Sequence, residues 1–214
     1  MHIIIAGATG LIGQSLLNYL NEDQCDKVTA LTRRDITLPF KHQNVAIIDY
    51  DELTLESATD DSDTVICTLG TTIKTAGSKQ AFEAVDYGMV IALATKAKQQ
   101  GYKTFAVVSS LGADKPGNNF YLTTKHKMES SLQSLGFDTL IIARPSLLLG
   151  QRDEFRLGER MGEWVSFILS PLMVGPLKKY KPIQASQVAK AIVKQSQSHS
   201  PGLKILENNH LHAL

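Results

Sequence analysis

Cysteine is scarce in this sequence: 214 residues contain two, Cys25 and Cys67. Neither stands in a spacing that builds a zinc site or a disulfide framework, which points to a reducing setting and to no bound metal. Charge of one sign is also lacking. The formal net charge is +1, so no global field draws the chain to nucleic acid or to an anionic membrane. No apolar run approaches the roughly 18 residues of a membrane span. The opening run His2-Ile3-Ile4-Ile5-Ala6 is too short and lacks the basic flank of a secretory signal. Internal repeats, low-complexity tracts and an interdomain linker are missing too. These absences lead to the expectation of one soluble, cytoplasmic domain.

What is present is a rhythm of short apolar, β-branched runs separated by longer helical patterns. Strands are expected at Ile3 to Ala6, Val28 to Thr32, Val45 to Ile48, Thr64 to Cys67, Thr104 to Ser109, Thr139 to Ala143 and Lys204 to Leu206. Helices are expected at Leu11 to Leu20, at about Gln80 to Gln100 before Gly101, and at Tyr121 to Leu135 before Gly136. Ser186 reads as the N-cap of a helix over Gln187 to Lys194. Strands that are apolar on both faces and spaced by helices form a parallel sheet covered on both sides. The fold class is therefore α/β, a doubly wound parallel sheet of the Rossmann type.

The stretch from 150 to 182 breaks the rhythm. It carries charges, Pro171, Pro176 and an amphipathic stripe of Met161, Trp164, Val165 and Ile168, which suits core, a partner-facing helix or a roof over a substrate. It reads as a small substrate-side segment of the single domain. Lys178, Lys179 and Lys181 around Tyr180 suit a solvated loop, and His199, His210 and His212 have no ligand spacing.

The first motif with chemistry is Gly7-Ala8-Thr9-Gly10-Leu11-Ile12-Gly13, between a strand and a helix. Gly7 suits a tight turn, Gly10 lets a pyrophosphate approach the backbone, and Gly13 lets the helix lie close to the sheet. Thr9, Leu11 and Ile12 complete the turn, whose helix N-terminus favours phosphate. A nicotinamide dinucleotide is the expected ligand. After the second strand, cofactors lacking a 2′-phosphate are held by an acid about 20 residues on. Here the strand ends in Leu31-Thr32-Arg33-Arg34, with Asp35 a position or two late and able to pair with an arginine. Two guanidinium groups suit a 2′-phosphate, so NADP(H) is favoured over NAD(H).

The second motif is Tyr121-Leu122-Thr123-Thr124-Lys125, a Y-x-x-x-K that puts phenol and ammonium on one helix face. A nearby ammonium favours the phenolate and so assists proton transfer. Upstream, Ser109-Ser110 end a strand, where a hydroxyl can polarise a carbonyl. His126 reads as an exposed helix residue.

Taken in order, these motifs resemble the short-chain dehydrogenase/reductase superfamily. Within it the chain is similar to the atypical Tat-interacting protein (oxidoreductase-like) family. Further matching stretches are Leu69-Gly70-Thr71-Thr72, Ala76-Gly77-Ser78, Val85-Asp86, Ser109 to Asp114, Ala143-Arg144-Pro145 and Leu206-Glu207-Asn208. The resemblance implies Ser110 as the catalytic serine, by its S-x-x-[AG] pattern, with Ser109 in reserve. It implies Tyr121 as general acid and Lys125 as the group that holds the nicotinamide ribose and tunes Tyr121. It also implies that Leu69, Gly70 and Thr71 line the cofactor, that Asp49 and Tyr50 lie near the adenine, and that Pro145 borders the nicotinamide. Two features depart from the superfamily pattern: Leu69-Gly70-Thr71-Thr72 replaces N-N-A-G, and Asp86 stands where many relatives have a helix asparagine. The implied function is reduction of a small apolar carbonyl or quinone with NADPH. An NADP(H)-sensing module that acts on a protein partner is the alternative, and a nucleotide-sugar epimerase a third, disfavoured by the short C-terminal part.

Overall fold

The computed structural model describes residues 1–49, 53–150, 179–198 and 200–213. Five apolar runs expected as strands form the centre of a seven-stranded sheet. These are β1 (His2–Ala6), β2 (Lys27–Thr32), β4 (Thr64–Cys67), β5 (Thr104–Val108) and β6 (Thr139–Arg144), flanked by β3 (Gln43–Ile47) and β9 (Gly202–Glu207). The order is β3-β2-β1-β4-β5-β6-β9, and every neighbouring pair is parallel. Central strands such as β4 and β6 are buried along their whole length, as a sheet covered on both faces requires. A second, two-stranded parallel pair joins β7 (Leu148–Leu149) to β8 (Ile183–Gln184). The expected Rossmann architecture is present.

Two apolar layers enclose the sheet. On one face, α1 (Leu11–Tyr19) and α6 (Ala185–Gln197) cover Ile3, Ile5, Val28, Ala30 and Ile141. On the other, α4 (Val90–Gln99) and α5 (Phe120–Ser134) cover Ile4, Val65, Cys67, Phe105 and Ile142. The strand order reverses between β1 and β4, where doubly wound sheets open a crevice at their carboxyl ends.

The long helical pattern ends as expected. Tyr102 N bonds Ala97 O at 3.1 Å and Gly101 N bonds Lys98 O at 3.2 Å, with Gly101 at φ +87°. That is a Schellman cap. Its other end differs from the sequence expectation. Ser78 caps α3 (Lys79–Glu83) by accepting from Ala81 N, and Ala84–Met89 then form a π-helical segment before α4. The short α2 (Ile73–Ala76) precedes them, and α7 (Asn208–Leu211) closes the described chain. Ser186 is not an N-cap: Gln184 caps α6 in a reciprocal box with Gln187, so the helix begins two residues before the expected start. A long amide side chain here supplies what a short hydroxyl was expected to supply. The stripe of Met161, Trp164, Val165 and Ile168 lies outside the described residues. Among the described residues no helix is long and apolar enough to cross a membrane.

Candidate functional site

A cleft of ≈ 470 Å³ opens at the carboxyl ends of the strands. Its walls come from four connections. Thr9, Gly10, Leu11 and Ile12 follow β1; Arg34 follows β2; Leu69, Gly70 and Thr71 follow β4; Ser109 follows β5. Tyr121 and Lys125 enter from α5 and Asp86 from the π-helical segment. A second hollow continues past Gly7, Thr32, Arg33 and Arg34.

The glycine turn has a steric basis. Gly7 sits at φ +84°, a region L side chains avoid. A Cβ on Gly13 would lie 2.2 Å from Gly7 O and 2.7 Å from Ala8 Cα, so only glycine lets α1 pack this close to the turn. Gly10 caps α1 without a side-chain hydrogen bond, and no acid occupies the first helical turn. Unclaimed N–H groups at a positive dipole end suit an anion. Thr68 fastens the turn from β4, its hydroxyl within 3.0 Å of both Ala6 O and Gly7 O.

Arg33 and Arg34 are exposed at the β2 tip. Asp35 gives its carboxylate to the Ile36 amide at 2.9 Å rather than to either guanidinium. Among the described residues, the pairing of Asp35 with an arginine that the sequence allows is not formed.

Tyr121 packs on Phe82, with ring centroids 5.6 Å apart. Lys125 is buried, with Nζ 6.0 Å from the Tyr121 ring centroid and 2.7 Å from Asp86 Oδ1. The other Asp86 oxygen accepts the Thr71 amide at 2.8 Å. Burial acts to lower the Lys125 pKa, but facing Tyr121 and Asp86 outweigh it and the ammonium titrates above the ordinary lysine value.

Of the serine pair, Ser109 lines the cleft, and its buried hydroxyl has no hydrogen-bond partner among the described residues. Ser110 turns toward its own chain, 3.4 Å from Leu111 O, and is not among the lining residues. Successive side chains alternate at a strand end, so one position of register separates the two. Pro145 is buried and is not among the lining residues, its carbonyl accepting the Leu111 amide at 2.9 Å. Asp49 is exposed beyond β3 and lines neither hollow; Tyr50 lies outside the described residues. His126 is exposed, as expected, and its Nδ1 lies 2.9 Å from Ala113 O in the loop after Ser110. Thr68 and Gln14 border the cleft without having been singled out, since a threonine after an apolar strand carries no signal of its own.

An uncapped glycine turn, a basic β2 tip, an orphaned serine hydroxyl and a buried lysine beside a tyrosine fit a nicotinamide dinucleotide. Together they define a dinucleotide-binding Rossmann protein. Residues 7–198 match the family described as NAD(P)H-binding, and the chain belongs to that family. The mitochondrial protein FMP52 of Candida albicans is 31% identical over 204 residues, covering 90% of this chain and 86% of that one. Protein HTATIP2 of Rattus norvegicus is 36% identical over 169 residues, covering 77% and 68%. These relatives bear out the resemblance to an oxidoreductase-like branch. The human epimerase family protein SDR39U1, solved with NADPH, shares the fold at TM-score 0.66 and 18% identity, over 97% of this chain and 74% of that one.

The same relatives overturn one expectation. The Candida albicans protein and further FMP52 relatives are named mitochondrial, so the cytoplasmic expectation does not stand. Two unpaired cysteines argue against a disulfide scaffold, but they do not tell one compartment from another.

Proposed function

We propose that this protein is an NADPH-dependent oxidoreductase acting on a small apolar carbonyl compound or quinone. The observation that carries the reading is the convergence of Ser109, Tyr121 and Lys125 on the cleft that begins at the glycine turn. A bound nicotinamide would supply hydride to the carbonyl carbon. Tyr121 donates the proton to the carbonyl oxygen, and Lys125 holds the ribose and favours the resulting phenolate. Ser109 donates a hydrogen bond to the developing oxyanion; its unpartnered hydroxyl supports it over Ser110, the choice by motif. Arg33 and Arg34 pair with the 2′-phosphate, the basis of the preference for NADPH. The main-chain amides at the start of α1 receive the pyrophosphate.

The test is turnover of wild type and Tyr121→Phe on a screen of carbonyls and quinones with NADPH. The mechanism requires a loss of about 10²-fold or more in kcat for the variant. Wild-type turnover by Tyr121→Phe overturns it. Tight NADPH binding with no turnover on any compound would favour the sensing module instead.

A further inference from the structure

Lys125 and Asp86 form an ion pair at the cleft floor, and the proposed chemistry uses Lys125 but gives Asp86 no part. Both are almost wholly removed from solvent, with 3% and 1% of their surface exposed. A buried pair of this kind is a poor means of stabilising a fold, because desolvating two charges consumes most of the attraction. Its local backbone is unusual as well. Asp86 falls in the π-helical segment Ala84–Met89, which interrupts an otherwise α-helical run. Wide turns of this kind collect at functional sites because they re-aim a side chain. Here the re-aimed carboxylate meets Lys125 Nζ with Oδ1 and the Thr71 amide, one residue beyond Gly70, with Oδ2.

Among the described residues, three groups act on the ammonium. From its own helix comes Tyr121, from the π-helical segment Asp86, and from β4 the buried thiol of Cys67. Burial pushes that thiol up to about 12, so it is neutral at physiological pH and offers no counter-charge. Asp86 is thus the carboxylate against which a buried ammonium is balanced. A buried lysine without such a partner gives up its proton early, by about 3 units, which places the loss between about pH 6 and pH 10.

We propose that Asp86 is a positioning residue, which pins Lys125 Nζ toward the cleft and keeps it a charged ammonium at the pH where the cofactor binds. The proposal rests on the reading of the cleft as an NADPH site and deepens it. An asparagine at position 86 could still accept the Thr71 amide through its side-chain carbonyl, though without charge assistance. It could not hold the charge on Lys125. The carboxylate therefore has a task beyond shaping the loop.

The experiment is a fluorescence titration of NADPH against wild type, Asp86→Asn and Asp86→Glu, from about pH 6 to about pH 10, where an ordinary lysine stays charged. Wild type is expected to bind with nearly constant affinity up to the alkaline end. Asp86→Asn should approach wild type at pH 6 and fall on the order of tenfold below it as pH rises, since a charge-assisted hydrogen bond to the ribose is lost. Asp86→Glu should restore the flat profile. If Asp86→Asn does not fold, Asp86→Gln, the neutral counterpart of Asp86→Glu, should show the same alkaline loss. Affinities of wild type and the uncharged variant that run parallel across the range would overturn the proposal, while the NADPH reading would stand. A wild-type protein that binds no NADPH at any pH would overturn both.

Discussion

Arg144 and Glu129 meet in a buried two-point fork, Nε on Oε1 at 3.1 Å and a terminal nitrogen on Oε2 at 2.6 Å. Glu129 lies one helical turn past Lys125 on α5, and Arg144 ends β6. The second terminal nitrogen reaches Glu207 on β9 at 2.7 Å. One guanidinium therefore ties the helix that carries Tyr121 and Lys125 to the last two strands. Glu129→Gln replaces a charge-assisted fork by a neutral hydrogen bond while Glu207 still faces the guanidinium, and should cost about 1–3 kcal/mol. Thermal melting should show a fall on the order of 5 °C for this chain length. Arg144→Met alone strands the buried Glu129 carboxylate, whereas Arg144→Met with Glu129→Leu leaves only the part-exposed Glu207 unpaired and should cost less.

Gly13→Ala places a Cβ 2.2 Å from Gly7 O, and backbone must move to admit it. The variant should lose about 1–3 kcal/mol in stability, with weakened NADPH binding in the same preparation. At Gly10 a Cβ would meet only Gly7 O at 3.3 Å. Gly10→Ala should thus stay close to wild type in melting and lose affinity. Paired melting and cofactor titration separate the two effects.

Arg33→Ala and Arg34→Ala test cofactor preference. Each removes a charge-assisted hydrogen bond to a 2′-phosphate, worth about 1.5–3 kcal/mol. NADPH affinity should fall about tenfold or more while NADH affinity is little changed. An unchanged affinity ratio in Arg33→Ala would refute the arginine argument for that residue.

Acid sensitivity should arise in part at Asp63. Burial raises its pKa, but the amides of His2, Thr59 and Asp60 outweigh that and hold the carboxyl below its ordinary value of 3.8. The depressed pKa means that the stabilisation is complete above the ordinary aspartate range. It is lost as pH falls through that range toward the lowered value. Asp63→Asn should be less stable than wild type by about 1–3 kcal/mol at neutral pH, with the gap narrowing below about pH 3. Urea unfolding at several pH values measures it.

Most of the sheet was legible because five central strands are apolar on both faces, a pattern no surface helix repeats. Gly101 and Gly136 were legible for a conformational reason: each takes the positive φ that ends a helix. The start of α6 was not, because the glutamine pair at 184 and 187 caps it where Ser186 looked the better residue. The π-helical segment was hidden too, since the buried positions Phe82, Asp86, Val90, Leu93 and Ala97 keep steps of three and four. In the cleft, the glycine turn and the Tyr121–Lys125 pair were visible as local motifs. The Lys125–Asp86 contact joins residues 39 positions apart, and only the fold brings them together. Ser109 and Ser110 differ by one position, and which one faces the cleft depends on where β5 ends.

The most direct test of the central claim is a side-by-side titration of wild-type protein with NADPH and NADH at neutral pH. Binding of both, with NADPH clearly tighter, is the predicted result and would support the β2 arginines as 2′-phosphate partners. Failure to bind either dinucleotide would contradict the account and reduce the glycine turn to inherited scaffold.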